Sequence, residues 1–172
     1  MHEIKKNILF SQFSTMRVGG PLDEYVCAHT EDALLEAVRY AKNAAIPFFV
    51  FGGASNMIIS DSGFRGLGIQ YAGNTIHVDG VTLMAHAGTV TALLASSSSD
   101  AGLTGLEWAI GVPGRIGGAI FGNAGSMGGE MKDVIKETRV FDAQSDQILT
   151  MSNAECAFGY RDSGFKKNKL II

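Results

Sequence analysis

The sequence predicts an α+β chain in two lobes, and three observations carry that expectation. A capped helical stretch beginning at Thr30 lies between two apolar runs, "EYVCA" and "PFFVF". From Thr75 the texture changes to short alternating runs. Further on, the segment Gly105 to Gly129 gathers nine of the chain's 22 glycines. The lobes are set accordingly at residues 1–73 and 74–172.

In the first lobe, Thr30 can cap a helix whose first turn carries Glu31 and Asp32, favourable at the positive end of the helix dipole. Its apolar face repeats as Leu34, Leu35, Val38 and Ala41, and Asn43 to Pro47 ends it. "PFFVFGGASNMII" reads as a buried strand, Phe48 to Phe51, a small-residue turn, Gly52 to Asn56, and a second apolar strand from Met57. With "EYVCA" this makes a βαβ unit. "FRGLGIQY" is a further strand, and Ala72 to Asn74 leads out.

The second lobe opens with "TIHVDGVTLMAHAG", a hairpin turning at Asp79 and Gly80. Val90 to Ser99 is a helix that ends at Gly102, with the serine run Ser96 to Ser99 read as a frayed, solvated end. After the glycine segment, "KETRVFDA" and "QILTM" pair around Ala143 to Asp146. "SNAE" has capping-box spacing, Ser152 to Glu155, and predicts a short helix. The closing "KKNKLII" reads as an apolar strand whose open edge, at Ile172, invites self-association.

Composition narrows the function classes. With 46% hydrophobic and 18% charged residues the chain can bury a core as a globule. Lys+Arg 14 against Asp+Glu 17, net charge -3, leaves no basic face for a nucleic-acid backbone. The apolar run Ile8 to Phe10 is too short for a signal peptide, and no later segment approaches a membrane span, so a cytoplasmic location is expected. Cys27 and Cys156 are read as two buried reduced thiols. They and His2, His29, His77 and His86 are scattered without metal-ligand spacing.

The glycines raise the chemical question. They serve either backbone torsions and turns that pack the chain, or a flat or anionic ligand that must approach main chain more closely than a Cβ permits. No glycine precedes a lysine and no GxGxxG occurs, so neither standard phosphate loop is present. The turn "GGASN" after a buried strand supplies consecutive N–H groups, the Ser55 hydroxyl and the Asn56 amide, an anion nest. The bare backbone of Gly111 to Gly129 can lie along a ring system. Phosphate at one place and a flat heterocycle at the other is what a flavin dinucleotide requires.

Four blocks in series, "STMRVGG" (Ser14 to Gly20), "FGGASNMIISDSGFRG" (Phe51 to Gly66), "GLTGLEWAIGVPGRIGGAIFGNAGSMGGE" (Gly102 to Glu130) and "FGYRDSGF" (Phe158 to Phe165), resemble the UDP-N-acetylenolpyruvoylglucosamine reductase (UDP-N-acetylmuramate dehydrogenase) family. The resemblance implies the vanillyl-alcohol-oxidase/PCMH type of FAD-binding fold, with two α+β lobes gripping FAD and a third domain closing over the sugar nucleotide. It places Gly52, Gly53, Ala54, Ser55 and Asn56 on the pyrophosphate, and Gly118, Asn123, Ala124, Gly125 and Ser126 along the flavin.

The implied reaction is reduction of the enolpyruvyl ether of a UDP-sugar to a lactyl ether in peptidoglycan precursor synthesis. NADPH is the reductant and FAD is held non-covalently. Arg161 of "GYR" would be catalytic and Tyr160 would touch the substrate. Arg161 could otherwise serve as a surface ion pair with Asp162, and Tyr160 as a buried core tyrosine. Arg115, where relatives have other residues, either adds charge near the cofactor or faces water. The family's proton-donating serine and its partner glutamate belong to the third domain, which by the family's pattern would lie past "KLII". The chain is therefore expected to be the FAD-binding portion and inactive alone. The alternative of another class is a non-catalytic flavin-binding or regulatory module. A covalent flavoenzyme is disfavoured because the pyrophosphate turn holds no histidine or cysteine.

Overall fold

The computed structural model describes residues 3–168, 170 and 171. They form two compact units, one running to Gly73 and one starting at Asn74.

The first unit holds a four-stranded sheet, with β1 Lys5–Leu9, β2 Pro21–Ala28, β3 Phe48–Phe51 and β4 Phe64–Tyr71 in the order β1-β2-β4-β3. β1 runs antiparallel to β2, whereas β2 and β3 both pair parallel with β4. The strands flanking helix α1, Glu31–Asn43, are thus not neighbours: β4 is inserted between them. Thr30 caps α1 as predicted, its Oγ1 accepting from Ala33 N–H at 3.2 Å, and the face Leu34, Leu35, Val38 and Ala41 is buried. Such a cap contributes about 1 kcal/mol. Beneath the sheet lies an aromatic core. Phe10 meets Phe51 edge-on at 5.4 Å between centroids, and Phe13 stacks on Tyr25 at 4.7 Å.

Two expectations for this unit change. The predicted strand from Met57 does not form. Met57 and Ile59 pack inward and Ile58 is exposed, which is strand-like alternation, but among the described residues β3 pairs only with β4 and the segment joins no ladder. Cys27 is half-buried rather than buried, with its Sγ 3.5 Å from His29 Nε2. β1 is an edge strand with mostly exposed residues, Lys5, Lys6 and Asn7 among them, and its polar sequence gives no apolar alternation to read.

The second unit begins with the hairpin β5 Ile76–Asp79 and β6 Thr82–Ala85, turning through Gly80 and Val81. Helix α2, Thr91–Asp100, follows, then a 3₁₀ turn, Glu107–Gly111, and helix α3, Ile116–Phe121. The short ribbon β7 Gly125–Ser126 and β8 Gly129–Glu130 leads into helix α4, Met131–Val134. The hairpin β9 Glu137–Asp142 and β10 Gln147–Ser152 and helix α5, Gly164–Asn168, complete it. Leu94, Ala109, Ile116, Ile120, Met131, Val140, Cys156 and Phe165 form its core. Each large apolar side chain buried there stabilises by about 1.5–3 kcal/mol.

Three expectations change here. The serine run is an ordered part of α2, with Ser98 buried and its carbonyl accepting from Leu103 N–H at 2.9 Å. The helix end is closed by backbone, with Ala101 and Gly102 N–H donating to the Ser97 and Ser99 carbonyls, so the run need not fray. The "SNAE" capping box forms, with Ser152 N–H donating to Glu155 Oε2 at 2.8 Å, but it closes only a turn. The chain leaves helical torsions at Ala157, φ 46°. Most of "KKNKLII" is not a strand either. Lys166 to Asn168 belong to α5, Leu170 is buried, and Ile171 exchanges both backbone hydrogen bonds with Phe141. The open edge expected at Ile172 lies outside the described residues.

Candidate functional site

In the second unit a pocket of about 230 Å³ is lined by Asn123, Gly125, Ser126, Met127, Gly128, Gly129, Glu130, Tyr160 and Arg161. Two tight turns build it. The β7–β8 ribbon reverses through Met127 and Gly128, at φ 50° and 89°. Opposite, Gly159 and Asp162 exchange backbone hydrogen bonds of 2.9 and 3.2 Å, which leaves Tyr160 and Arg161 alone at the apex. Arg161 sits at φ 51° and Asn123 at φ 42°. Three residues other than glycine with left-handed torsions therefore line one pocket; asparagine tolerates this, whereas at Met127 and Arg161 it costs about 1–2 kcal/mol each.

Tyr160 is 92% exposed, which removes the core-tyrosine alternative. The surface ion pair imagined for Arg161 is also not made: the Asp162 carboxylate is engaged by Lys166 at 3.8 Å and Lys167 at 4.0 Å. The Arg161 guanidinium instead acts on Glu130. That carboxyl is held below its ordinary range by the hydrogen bond from Lys132, at 3.0 Å, then by the Asn123 amide, with the charges of Lys132 and Arg161 adding to it. Glu130 also caps α4, its carboxylate and that of Asp133 each accepting from the other's backbone N–H. The sequence reading passed over Glu130; the signal available was this Glu130–Asp133 spacing.

The glycines divide by what surrounds them. A Cβ at Gly117 would press on Ala87, one at Gly125 on the Gly129 carbonyl, and one at Gly129 on the Trp108 ring. These are explained by the protein's own packing. Gly118 differs: it lies inside α3, is exposed, has an ordinary torsion, and a Cβ there would meet nothing within 4 Å. Glycine inside a helix costs about 1 kcal/mol relative to alanine. That cost has no compensation in the packing around the Cβ position, so the open space over Gly118 leaves main chain accessible from outside.

In the first unit the turn Gly52 to Asn56 leaves the end of β3. Ala54, buried at φ 48°, supplies the left-handed step characteristic of an anion nest. A polar chain braces the turn: the Tyr25 hydroxyl donates to Gln70 Oε1 at 2.6 Å, and Gln70 Nε2 donates to the Gly52 carbonyl at 3.1 Å. Burial, with Cys27 adding, pushes the Tyr25 hydroxyl well above its usual range, so it stays a donor. Arg115 is half-buried and donates to the Gly88 carbonyl rather than simply facing water.

The first unit's turn leaves a strand, β3, that is half-buried at the sheet edge and not buried as predicted, and the second unit leaves a helical glycine open; each suits a nucleotide cofactor, and comparison makes that specific. The chain belongs to the FAD binding domain family, whose model matches residues 22–151. Along nearly its whole length it is similar to UDP-N-acetylenolpyruvoylglucosamine reductases. The one from Streptococcus uberis is 40% identical over 171 residues, 99% of this chain and 56% of the relative. The one from Clostridioides difficile is 38% identical over 170 residues, 98% of this chain and 54% of the relative.

The crystal structure of the reductase from Thermus caldophilus superposes with a TM-score of 0.82 at 32% identity, covering 99% of this chain and 60% of that one. The chain thus spans little more than half the length of these relatives. 6-Hydroxy-D-nicotine oxidase from Arthrobacter nicotinovorans, at TM-score 0.57 and 18% identity over 77% of this chain and 30% of its own, shares the fold alone. The fold is therefore the α+β FAD-binding fold of the vanillyl-alcohol-oxidase/PCMH type. Among the described residues no helix is long and apolar enough to cross a membrane, and no group of three or more His, Cys, Asp or Glu could hold a metal ion.

Proposed function

We propose that the chain is the FAD-binding part of an enzyme that reduces the enolpyruvyl ether of UDP-N-acetylglucosamine to UDP-N-acetylmuramate, a step toward peptidoglycan. The observation that carries this is the pocket in which a glycine ribbon faces Arg161 and Tyr160 at the apex of a strained turn. Gly52, Gly53, Ala54, Ser55 and Asn56 would hold the FAD pyrophosphate by backbone N–H groups, with Ser55 and Asn56 adding side-chain contacts. Gly118, Ala124, Gly125 and Ser126 would present bare main chain to the flavin, with Asn123 contributing backbone only. Bound FAD supplies a hydride taken from NADPH.

The chain's own residues hold and stabilise the substrate. Hydride addition at the methylene carbon of the enolpyruvyl group pushes an electron pair toward its carboxylate. The permanently charged Arg161 guanidinium offers that carboxylate two parallel donors. Tyr160 would lie against the substrate beside it. A proton must then reach the carbon bearing the ether oxygen. Glu130, its carboxyl held below the ordinary range, is a poor donor, and the family resemblance assigns that proton to a serine of the third domain.

The test is an anaerobic single turnover, in which solvent can slowly supply the proton that the third domain would otherwise donate: load the chain with FAD, reduce it with NADPH, add the enolpyruvyl UDP-sugar, and follow flavin absorbance and product mass. Reoxidation with formation of the lactyl ether supports the reading. Flavin that binds and is never reoxidised by the sugar would instead describe a flavin-binding module without this activity. A UDP-sugar and NADPH as partners fit a cytoplasmic location. Self-association is proposed to run through β10, which exposes Ile148 and Leu149 and pairs only with β9 among the described residues. A clean monomer by light scattering at high concentration would remove that part.

Gly118→Ala separates cofactor from packing. The added methyl has free space and favours the helix, so the flavin-free chain should gain up to about 1 kcal/mol and melt about 2–4 °C higher. The same methyl would stand in the flavin's path, and FAD affinity should fall about tenfold or more in a fluorescence titration. Unchanged affinity would take Gly118 off the flavin.

A further inference from the structure

Asn123 is 2% exposed, and its side chain joins three segments. Nδ2 donates to Glu130 Oε2 at 2.7 Å and to the Gly159 carbonyl at 2.9 Å, while Oδ1 accepts from Lys132 N–H at 3.0 Å. Both amide hydrogens are spent and the oxygen is engaged. Turning this side chain toward a ligand would give up these bonds, leaving the Gly159 carbonyl with only the Asp162 N–H and the Lys132 N–H without the Asn123 oxygen, at about 0.5–1.5 kcal/mol for each bond lost. The side chain is built to serve the protein.

What it serves is the turn that carries Arg161. Gly159 opens that turn, and Asn123 is the side chain that grips its carbonyl. The other end of the turn has its own braces. Lys166 Nζ donates to the Arg161 carbonyl, and the Ser163 hydroxyl donates to the Phe121 carbonyl at 2.7 Å. Glu130 in turn fixes Asn123, since its carboxylate takes one amide hydrogen and leaves the other aimed at Gly159.

The geometry points to Asn123 as a positioning residue: anchored by Glu130, it holds the Gly159–Asp162 turn so that Arg161 faces the pocket, and it acts on a bound carboxylate through that turn. This rests on the reading of Arg161 given above. Its left-handed torsion, φ 42°, is tolerated by asparagine, aspartate and glycine, which makes the residue testable without a backbone penalty.

Asn123→Asp keeps the shape and turns a donor into an acceptor facing the Glu130 carboxylate and the Gly159 carbonyl. In the FAD-loaded chain, exchange of the Asp162 amide, which bonds Gly159 O, should rise about tenfold or more, while amides of β9 stay protected. FAD affinity should stay within about threefold of wild type, and affinity for the enolpyruvyl UDP-sugar should fall about tenfold or more. Should Asn123→Asp fail to fold, Asn123→Gly carries the same test. Loss of FAD with Asp162 exchange unchanged would assign the side chain to the flavin and overturn the inference, as would unchanged exchange together with unchanged sugar affinity. Arg161→Gln run alongside keeps the two readings apart. If it leaves sugar affinity intact, the role of Arg161 falls, while Asp162 exchange still decides what Asn123 holds.

Discussion

Arg161→Gln is expected to leave the chain folded and flavin-loaded, to leave reduction by NADPH within about threefold, and to slow reoxidation by the enolpyruvyl UDP-sugar about 10²–10³-fold. Fold and cofactor should survive because Arg161 is exposed, its charge is the smallest of the influences on Glu130, and its backbone carbonyl, which Lys166 grips, is unaffected by the change. The sugar step should suffer because glutamine is shorter and neutral and offers one amide donor group, while the negative charge developing on the carboxylate needs a paired cation.

Rapid-mixing absorbance of the flavin resolves the two half-reactions separately. A variant slowed in both would indicate that Arg161 supports the flavin environment and not the substrate. Arg161→Lys should recover only part of the loss, since a point charge cannot match the planar carboxylate at two positions. Full recovery by lysine would mean that charge alone matters.

How much of this was legible in the sequence depends on whether the deciding interaction is local. The Thr30 cap, the β3 and β4 strands, the Asp79–Gly80 hairpin and the β9–β10 pair follow from caps, alternation and turn residues within a few positions. What was misread depends on distant partners. The Met57 segment alternates like a strand but pairs with no strand among the described residues. The Ser152–Glu155 box makes its hydrogen bonds yet is stopped by the torsion of Ala157.

The site shows the same division. "GGASN" and "GYR" stand out as sequence, whereas the brace from Tyr25 through Gln70 to Gly52 joins residues 45 and 18 positions apart. The grip of Asn123 on Gly159 spans 36. The glycine segment was read as a single feature. The structure separates it into positions the protein fills itself, such as Gly129 under Trp108, and Gly118, which it leaves open.

Gly63→Ala should be among the most damaging single methyls in the first unit, costing about 2–5 kcal/mol and lowering the melting temperature by about 4–20 °C. Two penalties coincide there. The residue is at φ 83°, where an L side chain is strained, and its Cβ would overlap the Pro21 carbonyl oxygen and come within 2.9 Å of Pro21 Cδ. Neither side can yield easily. The Gly63 N–H and the Gly20 N–H both bond the Ser60 carbonyl, at 2.8 and 3.0 Å, and Pro21 begins β2.

Gly102→Ala isolates the first penalty, because Gly102 has φ 69° but nothing within 4 Å of its Cβ; it should cost only about 1–2 kcal/mol. FAD binding gives a second axis. Gly63→Ala should lose the cofactor together with stability, since the 52–56 turn hangs on the same sheet. Gly118→Ala should lose the cofactor while stability holds or rises. Thermal melts of the three variants with and without FAD would show both patterns in one experiment. A Gly63→Ala chain as stable as Gly102→Ala would mean that the Ser60–Gly63 loop gives way around the new methyl, and that the glycine is there for its torsion alone.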